Sequence, residues 1–591
     1  MPAAVDVHLY YPPLAYPYMP YLAPYLLKGF LESAGRYRVT THDLNIECHH
    51  HLWSGEIGRR MAASFRDRGD RANMLLAEAV AEHGAAAAAA LRDESTYADR
   101  EAVRACALLL REARSLVSRH DDGPAILPRA CGAWPRLVEH ILRSSTVGRY
   151  LRDVVESGAC DSAEVAGISI AYVDQLAYGL ALAHLLKRRR PDVPVILGGN
   201  AVTHFLPEIQ KDESFWTAVD YAIPYEGEHD LLQLLEALSG RGPMPEYNVL
   251  YATPGGIHYR KDLSRRADVV ATADFSAMPH RYPTPHPILP LLLSKGCYWG
   301  KCAFCTHHEG YGQGYRAVSS GGVTDAIERA RAQGGKYFYF VDEALPPRVL
   351  RSIAAAFRDA DAGAGGWMAE ARVEKQFEEG PAVALLAESG CRMLVNGLES
   401  GCQRVVDRMQ KNIDLARAAR FAAECAQVGI RTAWMFFVGF PGETREEAEE
   451  TFRFIEANAR SVDFCSCGHF TLERGSPIWN DPARWDVARV LDAEADYPLG
   501  FDYEMVGGER VTRGGLRALR DDLLAGHGHL APLFTGAIDR ALAMFLPPRL
   551  EEQQPEAGSS ASARFTWRSA AAGVRAEADL ASRRITLHHE Q

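Results

Sequence analysis

The 591-residue sequence has no apolar run long enough to cross a membrane. A spanning helix takes about 18 consecutive apolar residues. The runs 288–293 and 434–440 are far shorter and read as buried strands. The N-terminus has no basic stretch and carries Asp6 early, which argues against a secretory signal. Dense Lys/Arg blocks are missing too, apart from Lys187-Arg188-Arg189-Arg190. That run falls where a helix is expected to end, and cations there favour the helix dipole. With a net charge of -11, the chain lacks the basic surface that nucleic-acid binding needs. The expectation is a cytoplasmic protein with neither a membrane nor a nucleic acid as partner. Its 47% hydrophobic content is enough to bury large cores, and at roughly 100–200 residues per domain the length allows three or four domains.

There are 12 cysteines, and nine lie scattered without ligand spacing. In a reducing cytosol these read as small buried apolar residues. Cys465 and Cys467, alternate residues of one expected strand, are included in that reading. The other three, Cys297, Cys302 and Cys305, fall within nine residues, directly after an apolar strand. Thiolates are the usual ligands of iron–sulfur clusters. Three of them could hold three irons of a cubane and leave the fourth open. A structural zinc site usually wants four ligands, and His307 or His308 could supply the missing one. Spacing alone leaves both readings open.

Around this loop the chain alternates short apolar strands with helices. The first such block covers 1–240, with strands at 5–11, 38–44, 165–170, 193–197 and 220–223. This pattern predicts a doubly wound α/β sheet with ligands at the carboxyl ends of its strands. An Ala-, Arg- and Glu-rich stretch at 55–160 interrupts it and reads as a helical insertion. Residues 241–285 read as a linker with a small β-excursion near 248–260. A second alternation over 286–479 places strands at 288–294, 336–342, 366–372, 392–398, 431–438 and 463–472, and six β/α units make a partial barrel. Residues 480–550 read as mostly helical, and 551–591 as a polar linker and small tail with two short strands.

The barrel segment resembles the radical S-adenosylmethionine superfamily. The resemblance rests on the three-cysteine loop after the first strand and on segments closing the later strands, all on the rim where barrels carry their sites. The usual family spacing is C-x3-C-x2-C. Here it is C-x4-C-x2-C, with an aromatic, Phe304, before the last cysteine. The resemblance implies that Cys297, Cys302 and Cys305 bind a 4Fe-4S cluster whose open iron binds S-adenosylmethionine. It implies further contacts to that molecule from Phe304, from Asp342 and Glu343 toward its amino group, and from Arg372 toward its carboxylate. Glu399 and Ser400 would lie at the ribose, and Gly439 near the adenine. Gly439–Thr444 also reads as a plain strand-to-helix turn, with Glu443 or Thr444 capping the next helix.

Residues 1–240 resemble the cobalamin-binding domain that precedes the barrel in one branch of that superfamily. The matching positions are Pro12 after the first strand, Ser169 and Tyr172 after the third, Gly198, Gly199, Asn200 and Thr203 after the fourth, and Glu226 and Gly227 after the fifth. The D-x-H-x-x-G signature that supplies a histidine to cobalt is absent: Asp6-Val7-His8 lies inside the first strand, and Tyr11 stands where the glycine would be. Many members of the branch lack that histidine and leave the lower face of cobalt without a protein imidazole, so its absence does not exclude cobalamin. The resemblance implies reductive cleavage of S-adenosylmethionine and cobalamin-dependent methylation of an unactivated carbon in a natural-product or peptide substrate. An external electron donor such as flavodoxin or ferredoxin would be needed. A non-methylating cyclisation, rearrangement or oxidation on the same scaffold is the alternative, and a zinc-stabilised binding protein the third reading.

Overall fold

The computed structural model describes residues 4–121, 132–265, 273–279, 281–307, 314–358, 365–377, 382–493, 495–534 and 538–547, with three strands at 564–569, 574–579 and 584–589. Among the described residues no helix is long and apolar enough to cross a membrane.

The N-terminal sheet has seven strands: β1 (Val5–Tyr11), β2 (Tyr37–Asp43), β3 (Val165–Ser169), β4 (Val195–Gly198), β5 (Tyr221–Ile223), β6 (Leu250–Thr253) and β7 (Gly256–His258). They lie in the order β2-β1-β3-β4-β5-β6-β7. β1 to β5 pair in parallel, while β6 and β7 add an antiparallel edge. The register stacks apolar side chains: Val7 of β1 faces Val39 of β2 and Val165 of β3, and all three are buried. Strands covered on both faces read as such apolar runs. The stretch expected to be a linker therefore contributes two strands to the sheet. Among the described residues five α-helices fill the expected insertion, from Gly55–Asp67 to Thr146–Glu156. The longest apart from Arg100–His120 is Arg71–Ala90, started by Asp70, whose side chain accepts from the Asn73 amide. Its alanines carry little side-chain entropy into the helix.

The second unit begins at β8 (Ile288–Leu291), followed by a two-stranded ribbon of β9 (Ser294–Lys295) and β10 (Arg316–Ala317). β11 (Tyr337–Leu345), β12 (Gly366–Ala371), β13 (Cys391–Glu399), β14 (Arg431–Val438) and β15 (Phe464–His469) complete it. β8 and β11 to β15 form one parallel six-stranded sheet with the order β8-β11-β12-β13-β14-β15. Its two end strands do not pair, so the barrel is open.

The region expected to be mostly helical also holds an antiparallel sheet: β16 (Val487–Val490), β17 (Tyr503–Met505) and β18 (Arg510–Val511). Strands of two to four residues are too short for their alternation to register in the sequence. The tail carries β19 (Arg564–Ser569), β20 (Val574–Asp579) and β21 (Arg584–His589), one strand more than expected.

Candidate active site

The carboxyl ends of β1, β3, β4 and β5 meet the rim of the barrel across one cavity of about 1080 Å³. Small-ligand pockets run to about 1,000 Å³, so there is room for a large cofactor. The strand order turns between β1 and β3, and doubly wound sheets bind ligands at that switch point. Ser169, Tyr172, Gly198, Gly199, Asn200, Thr203, Glu226 and Gly227 all line the cavity, as does Glu343 from the barrel. Gly199 has φ of +101°, and a Cβ added there would sit 2.4 Å from the Ile170 carbonyl oxygen. No other residue lets the chain pass so close to the end of β3. Thr203 Oγ1 accepts from the Tyr225 amide at 2.6 Å and joins the loops after β4 and β5. Pro12 stands behind this wall. Its carbonyl accepts from Gln175 Nε2 at 2.5 Å, which braces the loop carrying Tyr172.

The cavity wall carries exposed apolar side chains. Five large hydrophobic side chains are exposed among the described residues, and three of them line this space: Tyr16 at 62%, Tyr172 at 50% and Leu499 at 37%. Apolar surface gathered in a concave site marks a ligand surface. His8, by contrast, is buried in β1 with Nδ1 3.0 Å from His42 Nε2, in keeping with the absent cobalt-histidine signature.

The cysteine loop is held by the barrel. Trp299 Nε1 donates to the Gln410 carbonyl at 2.9 Å, Tyr298 Oη to Glu374 at 2.9 Å, and the Ala303 amide to the Met409 carbonyl at 2.9 Å. Gly300 takes φ of +62°, and a left-handed glycine turns the chain inside the enlarged first gap. Burial raises the Cys302 thiol, against the pull of Lys411, and pushes Cys305 up to about 12; the other two cysteines add to the rise at Cys305. Such thiols ionise when a metal takes the proton's place. Among the described residues no three Cys, His, Asp or Glu side chains converge on one ion. Thiolates of a cubane each bind a different iron and need no such convergence. His307 lines the cavity, where its Nδ1 pairs with Glu343 Oε2 at 3.1 Å. Burial would lower His307, but Glu343 outweighs it and raises the imidazole above its ordinary value. His308 lies outside the described residues.

The remaining expected contacts divide sharply. In β11, Val341 and Glu343 face the cavity while Asp342 is fully buried, because successive strand residues point to opposite faces. Asp342 accepts from the Leu293 amide at 3.1 Å and from Ser294 Oγ at 2.5 Å. Burial lifts its carboxyl to about 7 despite these bonds. It holds the start of the cysteine loop from within the core, while its neighbour Glu343 lines the cavity. Arg372 is likewise spent within the protein. Its Nε donates to Glu374 at 3.0 Å and its Nη1 to the Lys411 carbonyl at 2.8 Å, and its guanidinium lies 4.3 Å from the Trp299 ring centre. Glu399 accepts from Lys411 Nζ at 2.7 Å. Ser400 is buried; its Oγ accepts from the Cys402 amide at 3.1 Å and meets Thr451 Oγ1 at 3.1 Å. Phe304 packs edge-on to Phe437 at 5.0 Å. Gly439 lies against Leu516 and donates its amide to Glu443. Thr444 caps the helix Arg445–Ala457 in a capping box with Glu447, so the turn reading of this segment holds.

Sequence reasoning missed the charged groups that join the two units. Lys295 Nζ reaches Glu226 at 3.0 Å and also Glu228, with all three side chains buried, and Arg316 pairs with Glu226. The signal was faint: one lysine two residues before Cys297. Arg474, on the cavity wall, pairs with Glu208 at 2.8 Å.

Comparison with known proteins matches this geometry. Residues 291–455 match the model of the radical SAM superfamily. An uncharacterized methyltransferase of Pyrococcus horikoshii is 27% identical over 305 residues, covering 50% of this chain and 65% of that protein, so the chain spans less than two thirds of its length. Among solved structures, the radical S-adenosylmethionine methyltransferase TsrM of Kitasatospora setae, with tryptophan substrate and an S-adenosylmethionine analogue bound, superposes with a TM-score of 0.53 at 16% identity, covering 91% of this chain and 90% of TsrM. The cobalamin-dependent S-adenosylmethionine radical enzyme OxsB, with aqua-cobalamin and S-adenosylmethionine bound, gives a TM-score of 0.54 at 12% identity, covering 89% of this chain and 68% of OxsB. Residues 291–455 thus match the radical S-adenosylmethionine superfamily, and the chain as a whole shares the fold of TsrM and OxsB.

Proposed function

We propose that this protein cleaves S-adenosylmethionine reductively and, with cobalamin, methylates an unactivated carbon of a small-molecule or peptide substrate. The observation that carries this reading is one cavity that joins the switch point of the sheet to the barrel rim at Thr306, His307 and Glu343, the first of which follows Cys305 in the chain. Cys297, Cys302 and Cys305 are the residues to hold a 4Fe-4S cluster, and the loops after β1, β3, β4 and β5 those to hold cobalamin. When bound, the cluster supplies the electron for cleavage and cobalamin carries the methyl group. The protein's part is positioning, charge and exclusion of water. Lys411 and Arg372 place cations within reach of Cys302 and favour its thiolate. Glu343, paired to His307 on the rim, offers a carboxylate toward the amino group of S-adenosylmethionine. Leu14, Pro498 and Leu499 present an apolar wall to the corrin.

The test is isotopic. Cells with and without the gene are grown on methionine carrying a deuterated methyl group, and their small molecules and peptides are compared by mass spectrometry. The expected result is a compound made only with the gene and carrying the labelled methyl. A gene-dependent product that has lost mass and carries no label contradicts methylation and favours cyclisation or oxidation.

A further inference from the structure

The helical block at 55–160 contributes one residue to the cavity wall, Arg114, from the helix Arg100–His120. Its guanidinium lies 5.6 Å from the ring centre of Tyr16. The other Arg and Lys side chains on the wall are tied to carboxylates, Lys295 to Glu226 and Glu228, and Arg474 to Glu208. Arg114 has no carboxylate partner among the described residues. Beside it stand Tyr16 and Tyr172, the two most exposed aromatic side chains of the cavity. These three come from three separate parts of the chain: the loop after β1, the helical block and the loop after β3. A planar cation with its donors free, framed by aromatic faces, is the arrangement that takes a carboxylate by paired N–H···O bonds and an aromatic or other planar body by stacking.

We propose that Arg114, with Tyr16 and Tyr172, forms the substrate subsite and selects a carboxylic acid attached to a planar, apolar body. This deepens the reading of the cavity as an active site and rests on it. It also gives the helical block a role, since that block carries the specificity-determining cation over the sheet.

Binding tests it without needing turnover. Full-length protein, reconstituted with cluster and cobalamin, is examined by equilibrium dialysis with indole-3-propionate and with its neutral amide. The acid is expected to bind at least about tenfold more tightly than the amide, the scale of one charged hydrogen bond. Arg114→Gln should bring the acid down to the level of the amide, Arg114→Lys should keep part of the preference, and Tyr16→Leu should weaken both probes alike. Equal binding of acid and amide by the wild type overturns the proposal, as does a preference that survives Arg114→Gln. If Arg114→Gln instead loses bound cobalamin, the cation serves the cofactor's phosphodiester and the subsite is refuted. Failure of the wider functional reading shows separately, as a wild-type protein that makes no 5′-deoxyadenosine.

Discussion

Asp342 and Glu343 are chain neighbours with opposite tasks. Glu343 faces the cavity, while Asp342 accepts from the start of the cysteine loop in a fully buried position. The raised carboxyl of Asp342 has a consequence for stability. Its folded-state value of about 7 lies above the ordinary 3.8, so folding favours the protonated form. Its contribution is complete below about pH 3.8 and is lost as pH rises through about 7. Thermal melts of Asp342→Asn should show less loss of stability over that window than the wild type, and an unchanged slope would refute the assignment. At this scale the sequence was legible where chemistry is concentrated: three cysteines in nine residues announce a metal. Whether Asp342 or Glu343 faces the cavity depends on strand register, and the partners of Arg372, Glu374 and the Lys411 carbonyl, were not legible because they are fixed only when strands and loops come together.

The two-residue strand β9 is the hinge point among the elements. It leads into the cysteine loop and carries Lys295, which is held by Glu226 and Glu228 after β5. Burial would raise the Glu228 carboxyl, but Lys295 pulls it below its ordinary value. The network thus ties the cluster loop to the sheet domain. Removing one partner of a buried ion pair leaves the others uncompensated, at about 3–5 kcal/mol. Arg316 still serves Glu226, so Lys295→Met should cost about 3 kcal/mol, read as a lower denaturant midpoint. A variant as stable as the wild type would mean that the network does not join the units. The long parallel strands were legible because each is a buried apolar run between turn signals. β6 and β7 were seen as a β-excursion but not as part of the sheet, since antiparallel edge pairing leaves no separate mark in the sequence.

On the scale of the whole molecule, one cavity collects the carboxyl ends of the sheet and the barrel rim, with Arg114 of the helical block at its side. The alternation of strands and helices foretold both units, and the carboxyl ends of their strands line the cavity. That the two sets of ends face each other was expected from the resemblance alone, because the contacts that fix it, such as Tyr282 with Asp43 and Lys295 with Glu226, join residues far apart in the chain. The central claim is that the three-cysteine loop drives cleavage of S-adenosylmethionine. Its most direct test is anaerobic reconstitution with iron and sulfide, followed by incubation with S-adenosylmethionine and a reductant, comparing the wild type with Cys302→Ala. The expected result is a brown wild-type protein that forms 5′-deoxyadenosine and a folded variant that forms none. A Cys302→Ala protein that still makes 5′-deoxyadenosine, or a colourless wild type that holds zinc and makes none, would contradict it.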